Sequence, residues 1–337
     1  MRRTISRLRL PFREPFVTAS GVFAARDLLL LRLEDDDGVF GYGEAAPFEP
    51  YDGVSIDATI DALLGSVDVD QVPPQASAAE EMAALDLEAR RLGQTIGEPG
   101  ADAIAVNCTL AGASPEEVAA RASDALRAGY ACFKLKVGLP NDVERVAAVR
   151  EAIGPWPALR LDANGSWSVE EAVALIAALE PYDIQLVEQP CATLAELAMV
   201  RRIVAVPIAA DESIRTPGDV RTAAASEACD IVCVKLATAG GFGAARRTLR
   251  TAADEGLQAY LSSMLDGPWG IAAALQLAAT ERVSLACGLA TLGLFDAALA
   301  DALPAPADGL LPVPQGPGLG VTIDDGAIAA VLVGELD

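Results

Sequence analysis

Ionisable side chains recur at the ends of short apolar segments in the middle of the sequence, 23 to 26 residues apart. In chain order they are Lys136, Asp162, Glu188, Asp211 and Lys235. A second lysine, Lys134, precedes the first by two residues, and residues two apart in a strand share a face, so both lysines point the same way. Carboxylates bind hard cations and lysines transfer protons. The pattern therefore predicts a site for metal-assisted proton transfer.

The three carboxylates predict a cation site. A single charge at the end of a strand is usually a solvated rim residue, but three buried at one level would repel one another unless a cation neutralised them. The sequence contains no histidine, and ligands that are all oxygen suit Mg²⁺, with Mn²⁺ as the alternative. We therefore expect Asp162, Glu188 and Asp211 to bind Mg²⁺.

The lysines that flank the carboxylates predict the chemistry. A substrate bound to the cation would lie between Lys136 and Lys235, and a nearby dication and a second ammonium both favour the neutral, basic form of a lysine. This arrangement suits abstraction of a proton next to a carboxylate, because the cation would stabilise the ene-diolate that forms. A small-molecule carboxylate is the expected substrate.

The composition excludes several classes of protein. The 337 residues include 48 acidic and 25 basic side chains and no histidine, which gives a formal net charge of −23. Without histidine there is no Ser-His-Asp or Cys-His hydrolase and no histidine-bound zinc or haem. The negative charge argues against nucleic acids and anionic membranes as partners. No apolar run approaches a membrane span of ~18–20 residues, no secretory segment opens the chain, and the scattered cysteines predict reduced thiols in the cytoplasm.

The elements that position these residues predict an α/β fold, a (β/α)8 TIM-type barrel with an N-terminal α+β capping domain. Short apolar segments alternate with helix starts whose N-caps would be Ser114, Ser168, Thr193 and Thr216. The eight expected strands are residues 104–109, 132–137, 158–162, 184–188, 207–211, 231–236, 258–263 and 283–287. A doubly wound sheet would alternate too, but no Gly-x-Gly-x-x-Gly follows the first strand. Barrel enzymes carry catalytic groups at the C-terminal ends of their strands, where these residues stand.

The chain divides into a barrel at residues 101–307 and a capping domain at residues 1–100, to which residues 308–337 would return. In the capping domain the sequence predicts strands at residues 4–10, 28–34 and 39–43, with an Asp-Gly turn between the last two strands. Two long loops are expected, at 11–25 and 45–53, and long loops in a compact domain are often functional. A capping box at Ser77 would open a helix that runs to Gly93.

These residues resemble the enolase superfamily over essentially the whole chain. The motifs are Lys134-Leu135-Lys136, Asp162-Ala163-Asn164, Glu188-Gln189-Pro190, Asp211-Glu212-Ser213 and Lys235, with Gly43-Glu44-Ala45-Ala46-Pro47 in the N-terminal part. The Lys-x-Lys element and the lysine on the sixth strand resemble the muconate-lactonising subgroup, whereas the mandelate racemase branch would use a histidine base.

The resemblance implies a role for each residue. Asp162, Glu188 and Asp211 would bind the metal ion. Lys136 would be the base on one face of the substrate, with Lys235 facing it, and Lys134 would lower the pKa of Lys136. Asn164 and Glu212 would be supporting residues. Capping-domain loops would close over the substrate near Ser20, Gly21, Phe48 and Tyr51. Homo-oligomers are also expected from the resemblance.

The reaction stays open between several that the superfamily catalyses. Residues 287–293 contain no carboxylate, whereas dipeptide epimerases usually carry an Asp-x-Asp there and a cycloisomerase is expected to carry a glutamate. Segments 262–266 and 288–291 look more like o-succinylbenzoate synthases, which dehydrate a succinyl-hydroxy-cyclohexadiene carboxylate in menaquinone synthesis. The alternatives are N-succinylamino acid racemase, dipeptide epimerase, muconate cycloisomerase and a barrel without catalysis. Substrate contacts are expected from Ser262, Met264, Asp266, Gly288 and Leu289.

Overall fold

The computed structural model describes residues 1–18, 21–98, 100–281 and 283–336. A curled parallel sheet surrounded by helices carries an antiparallel sheet that is built mainly from the N-terminal residues. The predicted α/β fold, a TIM-type barrel with an N-terminal α+β part, is confirmed. None of the helices in the described residues has the length and apolarity needed to cross a membrane.

The antiparallel sheet, here called the capping sheet, has the strand order β13-β1-β2-β3. Its strands are β1 (Arg2–Thr18), β2 (Gly21–Glu34), β3 (Phe40–Ala45) and β13 (Leu332–Leu336). The predicted turn between β2 and β3 is confirmed, since the Asp35 carboxylate accepts the amide protons of Asp37 and Val39 and Gly38 has a φ of 80°. The long loop predicted at 11–25 is wrong, because β1 and β2 continue pairing past an irregularity between Pro11 and Phe16.

Three helices follow the capping sheet: α1 (Glu49–Asp52), α2 (Ile56–Leu63) and α3 (Pro74–Leu92). The predicted start of α3 at Ser77 is wrong, because the helix begins at Pro74 with Pro73 as its N-cap, and proline suits the first turn, where no intrahelical amide bond is lost. Glycines in β3 let α3 lie against the sheet. A Cβ on Gly43 would stand 1.9 Å from the carbonyl oxygen of Ala79, so this close approach requires glycine.

The barrel sheet contains seven hydrogen-bonded parallel strands in the order β11-β10-β9-β8-β7-β6-β5. They are β5 (Cys108–Leu110), β6 (Cys132–Lys136), β7 (Ala158–Asp162), β8 (Ile184–Glu188), β9 (Ile208–Ala210), β10 (Ile231–Val234) and β11 (Gln258–Leu261). Two parallel bridges, Val106 to Cys287 and Ser262 to Gly288, connect the two edges of this sheet. The eighth strand predicted at 283–287 is therefore wrong as a strand, because only its last residue pairs.

The first predicted barrel strand, residues 104–109, divides into two elements. β4 (Ala103–Ala105) pairs antiparallel with β12 (Leu310–Pro312), and only β5 joins the barrel sheet. The predicted boundaries of the two domains are not tested by this pairing. The C-terminal strand β13, however, lies beside β1 in the capping sheet, so the last residues contact the N-terminal part.

Helices connect the barrel strands and shield them from solvent. They are α4 (Pro115–Arg127), α5 (Asp142–Ile153), α6 (Val169–Leu179), α7 (Leu194–Arg201), α8 (Pro217–Ala225), α9 (Leu236–Ala239), α10 (Phe242–Asp254) and α11 (Pro268–Glu281), with α12 (Asp325–Ala329) near the C-terminus. The four predicted N-caps, Ser114, Ser168, Thr193 and Thr216, are confirmed, since each side chain accepts the amide proton three residues on.

Candidate active site

In-register pairing of parallel strands places the lysines and carboxylates at one level. Lys136 in β6 pairs with Asp162 in β7, and Asp162 pairs with Glu188 in β8. Alternation points Lys134 and Lys136 to the same side, inward, while the intervening Leu135 is fully buried in the hydrophobic core. The C-terminal ends of three neighbouring strands therefore deliver their ionisable side chains into one volume.

The ammonium of Lys134 lies between two of the carboxylates. Its Nζ atom is 2.9 Å from Oδ2 of Asp162, and 3.0 and 3.1 Å from the two carboxylate oxygens of Glu188. Lys136 donates to Oδ2 of Asp162 at 2.6 Å and to Oδ1 of Asn164 at 2.9 Å. Asp162 and Glu188 are completely buried, so these ammoniums are the charges that neutralise them.

A second charge pair lies just beyond the ends of β9 and β10. Lys235 donates to both carboxylate oxygens of Asp211 at 2.5 Å. Lys235 also donates to the hydroxyl of Tyr51, which comes from the capping side and itself donates to Oδ2 of Asp211 at 2.7 Å. Tyr51 thus connects the capping part of the molecule directly to a charged pair of the barrel.

Burial and mutual charge shift the ionisation of these groups. Burial would raise the pKa of Asp162, but the ammoniums of Lys134 and Lys136 outweigh it and hold that pKa below its ordinary value. Burial and the negative charge of Asp162 raise the pKa of Glu188 to about 7. Burial would lower the pKa of Lys134 and of Lys235, but the neighbouring carboxylates raise both above the ordinary value. In these contacts Lys134 and Lys235 are ammonium ions.

The predicted supporting residues extend the network. Asn164 has a left-handed backbone conformation with a φ of 47°. The Nδ2 atom of its side chain donates to Oε1 of Glu212 at 2.9 Å. Burial and the negative charge of Asp211 raise the pKa of Glu212 to about 8. Asn164 therefore links Glu212 to Lys136 and orients the amine toward the carboxylates.

The donor set fits a hard divalent cation. Asp162 and Glu188 reach the same ammonium, and Glu188 and Asp211 offer ligand atoms that lie within 4.8 Å of each other and of the Cys233 thiol. Burial raises the pKa of Cys233 well above its ordinary value, so its sulfur is a protonated thiol, which is a poor ligand. The donors that remain are carboxylate oxygens, which suit Mg²⁺.

The charged groups open into a pocket of about 630 Å³, a volume that includes solvent at its mouth and that is called the central pocket below. Lys134, Lys136, Asp162, Asp211 and Lys235 line it. Of the nine predicted substrate-binding residues, five also line it: Phe48, Tyr51, Ser262, Met264 and Gly288. The structure thus brings residues from the capping loop and from the last two barrel connections to the same volume.

Three of the other predicted substrate contacts lie elsewhere. Gly21 begins β2 and does not line the pocket, the side chain of Leu289 is fully buried, and Asp266 accepts the amide proton of Met264 at 3.1 Å instead of facing the pocket. Ser20 lies outside the described residues.

Sequence reasoning missed several residues of the site. Further residues that line the pocket are Phe16, Thr18, Pro50, Thr109, Asn164, Ser263, Leu265 and Thr291, of which only Asn164 was predicted to act there. Tyr260 was missed as well, and it donates to Oε2 of Glu188 at 2.5 Å. One signal in the sequence was available: Lys134, Lys136 and Lys235 are the only lysines of the chain, and all three lie in this site.

A family model described as enolase C-terminal domain-like matches residues 117–327, which include every lysine and carboxylate of the site. The chain belongs to this family. The predicted resemblance to the enolase superfamily is thereby confirmed.

Relatives in the enolase superfamily include two o-succinylbenzoate synthases. The protein from Thermobifida fusca is 43% identical over 221 residues, which are 64% of this chain and 68% of that protein. The protein from Mycobacterium tuberculosis is 44% identical over 217 residues, 63% of this chain and 64% of that protein, so the match spans less than two thirds of the mycobacterial enzyme. An L-Ala-D/L-Glu epimerase from Bacillus subtilis is 33% identical over 308 residues, 82% of this chain and 84% of that protein.

Solved structures of superfamily members share the whole fold. An N-succinyl Arg/Lys racemase from Bacillus cereus has a TM-score of 0.92 at 25% identity, covering 99% of this chain and 98% of that one. A muconate lactonizing enzyme from Pseudomonas fluorescens has a TM-score of 0.89 at 27% identity, covering 98% of each. A dipeptide epimerase from Enterococcus faecalis, complexed with Mg and a dipeptide, has a TM-score of 0.85 at 26% identity, covering 95% and 99%. The chain is accordingly an enzyme of the lyase or isomerase class.

Proposed function

We propose that this protein abstracts a proton next to a carboxylate in a Mg²⁺-dependent reaction, and that the reaction is the dehydration catalysed by o-succinylbenzoate synthases. The observation that carries the proposal is the placement of Lys136 and Lys235. Lys136 ends β6 and Lys235 directly follows β10, with three strands between them, and both line the central pocket with Asp162 and Asp211 between them. A planar carboxylate substrate would have one amine on each face.

Each group of the site has a role in this proposal. Asp162, Glu188 and Asp211 would hold Mg²⁺, which when bound supplies positive charge where the substrate carboxylate becomes an ene-diolate. With Mg²⁺ in place of an ammonium to neutralise Asp162, the Nζ atom of Lys136 would be the amine that accepts the α-proton. Lys235 stays protonated, as its contact with Asp211 favours, and donates to the developing negative charge.

The dehydration returns the proton that Lys136 removes. The C–H bond breaks and its proton moves to Nζ of Lys136, and the electron pair stays on the carbon framework. The C–O bond of the hydroxyl on the same face then breaks, the oxygen takes the proton from Lys136 and leaves as water, and the ring becomes aromatic. One base on one face therefore suffices, and Lys136 ends in its starting state.

The lining of the pocket supports this reaction over epimerisation of a dipeptide. A substrate ammonium needs a carboxylate partner, and among the described residues that line the pocket the only carboxylates are Asp162 and Asp211, which already face lysines. Beyond the charged groups, the polar side chains of the lining are the Asn164 amide and hydroxyls, including the Ser263 and Thr291 pair at 2.9 Å. The two synthase relatives at 43% and 44% identity give independent support.

An N-succinylamino acid racemase is the second candidate. Lys235 opposite Lys136 would allow the two amines to alternate as base and acid, and the racemase from Bacillus cereus has the same fold. Such a substrate also lacks a free ammonium at its α-nitrogen, so the argument against dipeptides does not apply to it. Homo-oligomer formation, expected from the resemblance, stays a prediction.

One assay separates these functions. Purified protein with Mg²⁺ is offered the succinyl-hydroxy-cyclohexadiene carboxylate, N-succinylamino acids and dipeptides in deuterated water. We expect rapid formation of the aromatic product from the first. Deuterium exchange at the α-carbon of an N-succinylamino acid, without elimination from the cyclohexadiene, would instead support the racemase.

The same assay tests the base. Lys136→Ala removes the proton acceptor, so turnover should fall by about 10²–10⁴-fold or more, the contribution of a positioned general base. Mg²⁺ affinity by calorimetry and secondary structure by circular dichroism should be retained. Wild-type turnover in this variant would contradict the proposal, and Arg202→Ala, an exposed residue outside the site, is the matched control.

A further inference from the structure

Arg26 in β2 is buried between the capping sheet and the barrel, with 3% of its surface exposed. Among the residues that the structure describes, its guanidinium donates to backbone carbonyls alone. On the capping side these belong to Asp27 at 2.9 Å, Ala46 at 2.8 Å and Pro47 at 2.5 Å. On the barrel side the Nε atom donates to the carbonyl of Met264 at 3.2 Å. One side chain therefore joins two segments that are far apart in sequence.

Both segments lead directly into the central pocket. Phe48 follows Pro47, its ring centroid lies 4.7 Å from the guanidinium carbon of Arg26, and its side chain lines the pocket. On the other side Met264 and Leu265 line the pocket. The walls that the capping loop and the β11–α11 connection present to a substrate are thus both anchored on Arg26.

The barrel wall needs such an anchor because its backbone is strained. Leu265 has a φ of 61°, a left-handed conformation that a residue with a branched side chain rarely adopts and that persists only where the surroundings impose it. The carboxylate of Asp266 accepts the amide proton of Met264 from within the loop. Arg26 binds the carbonyl of the same residue from outside, so both polar groups of the Met264 backbone are held.

The contacts also explain why arginine stands in a buried position. A buried cation is costly unless its donors are satisfied. Guanidinium offers five N–H donors in a plane that can also stack on an aromatic ring, and Arg26 uses its donors on four carbonyls and its face on Phe48. The buried carboxylate of Asp266 lies close enough to offset its charge.

We propose that Arg26 is a positioning residue that determines substrate specificity. It holds the Phe48 wall of the capping side against the Met264 and Leu265 wall of the barrel, and this arrangement, called the Arg26 clamp below, sets the width of the pocket in which a carboxylate substrate meets Lys136. The part of the proposal that concerns the substrate rests on the proposed function. The part that concerns the two walls does not.

Amide hydrogen exchange tests the clamp without any substrate. In Arg26→Met, which keeps the length and apolar stem of the side chain, exchange in residues 46–53 and 262–267 should accelerate by about tenfold or more, while β7 and β8 keep their protection. Arg32→Met is the matched control, because Arg32 lies in the same strand and stacks on Phe40, away from the pocket.

Kinetics test the consequence for specificity. With the substrate that the wild-type protein turns over, Arg26→Met should raise KM by about tenfold or more and lower kcat much less, and Mg²⁺ affinity should be unchanged. Arg26→Lys keeps the charge but has only three donors and no planar face, so it should fall between Arg26→Met and the wild type. A merely structural loss would instead lower kcat, Mg²⁺ affinity and stability together.

The outcomes separate the clamp from the proposed function. If the wild-type protein turned over none of the carboxylates offered, the proposed function would fail, and the exchange comparison would still decide on the clamp. Faster exchange in both segments for Arg26→Met, without it for Arg32→Met, supports the clamp. Unchanged exchange in both segments, equal effects of the two variants, or wild-type KM in Arg26→Met would overturn it.

Discussion

The hydroxyl of Tyr260 lies 2.5 Å from Oε2 of Glu188 and donates to it in a completely buried position. The ring of Tyr260 packs against Arg160, whose guanidinium carbon lies 5.2 Å from the ring centroid. Arg160 is in turn fixed by hydrogen bonds to the side chain of Gln185 and to the carbonyl of Ala286. Glu188 thus has two fixed donors, Tyr260 and Lys134. Such a donor orients a carboxylate and sets the affinity of any cation it binds.

Tyr260→Phe should therefore weaken Mg²⁺ binding by about 10–100-fold, the usual cost of losing a partner of a metal ligand. The ring and its packing remain, so the fold should be retained. Isothermal calorimetry with MgCl2 measures the effect. Tyr182→Phe is the control, because Tyr182 precedes the N-terminal end of β8, at the opposite end of the strand from Glu188. Equal affinities in both variants would show that the hydroxyl does not support the site.

Asp211→Asn should weaken Mg²⁺ binding more strongly than Tyr260→Phe, because it removes a negatively charged donor oxygen rather than a partner of one. It also removes the carboxylate that contributes most to the raised pKa of Lys235, so that pKa should fall. Calorimetry measures the first effect, and ¹⁵N-lysine NMR, with only three side-chain signals expected, measures the second. Asp254→Asn, an exposed substitution, is the control. Wild-type Mg²⁺ affinity would remove Asp211 from the ligand set.

The position of the lysines and carboxylates at one level of the barrel was predictable, because it depends on sequence patterns within single strands and helices. Parallel strands of similar length, joined by helices with recognisable caps, bring their C-terminal ends to one edge. The strand ending in Asp162 and the strand ending in Glu188 lie where the apolar segments predicted them. Helix starts at serine and threonine caps were predictable for the same reason, since an N-cap acts within three residues.

Residues whose position depends on distant packing were not predictable. In the sequence Tyr260 has no feature that distinguishes it from other strand residues, and only the closed barrel places its hydroxyl beside Glu188. Arg26 likewise has no distinguishing pattern, and only the packing of the capping sheet on the β11–α11 connection gives it a role. Asp266 looked like a pocket residue, but its carboxylate turns back to the amide of Met264. The strand predicted at 283–287 has the composition of a strand, yet only single bridges form there.

The scarcity of lysine predicts that an amine-specific reagent should act on the candidate active site. Besides the N-terminus the only amines are Lys134, Lys136 and Lys235. The side chain of Lys136 is 15% exposed, against 6% for each of the other two. Acetic anhydride should therefore modify Lys136 first, with loss of activity in proportion, as peptide mass spectrometry can follow.

The Lys136→Ala variant treated in parallel is the control for acetylation, and it should be modified chiefly at its N-terminus. Activity that survives complete acetylation of Lys136 would show that this amine does not transfer the proton. Modification of Lys134 or Lys235 before Lys136 would show that exposure does not set the order of reaction.

Glu44 in β3 lies at the boundary between the capping sheet and the barrel, and we expect it to make the free energy of unfolding depend on pH. Its carboxylate accepts the amide proton of Gly267 at 2.7 Å and that of Gly270 at 3.2 Å, at the beginning of α11. Burial and the negative charge of Asp266 raise the pKa of Glu44 to about 8, and the two amides and Arg26 only partly oppose this. In the unfolded chain the pKa returns to about 4.5.

Between about pH 5 and pH 8 the folded protein therefore holds one more proton at Glu44 than the unfolded chain does. The stability from this group is fully present below the unfolded pKa and is lost as the pH rises through the folded value, by up to ~1.4 kcal/mol per pH unit. Glu44→Gln keeps the shape without the titration, so its free energy of unfolding should fall less steeply over this range. Urea denaturation at each pH measures the two slopes, with Glu255→Gln, an exposed substitution, as the control. Other buried carboxylates titrate in all three proteins, so only the difference between slopes reports Glu44, and identical slopes would mean that Glu44 is already ionised at neutral pH in the folded state.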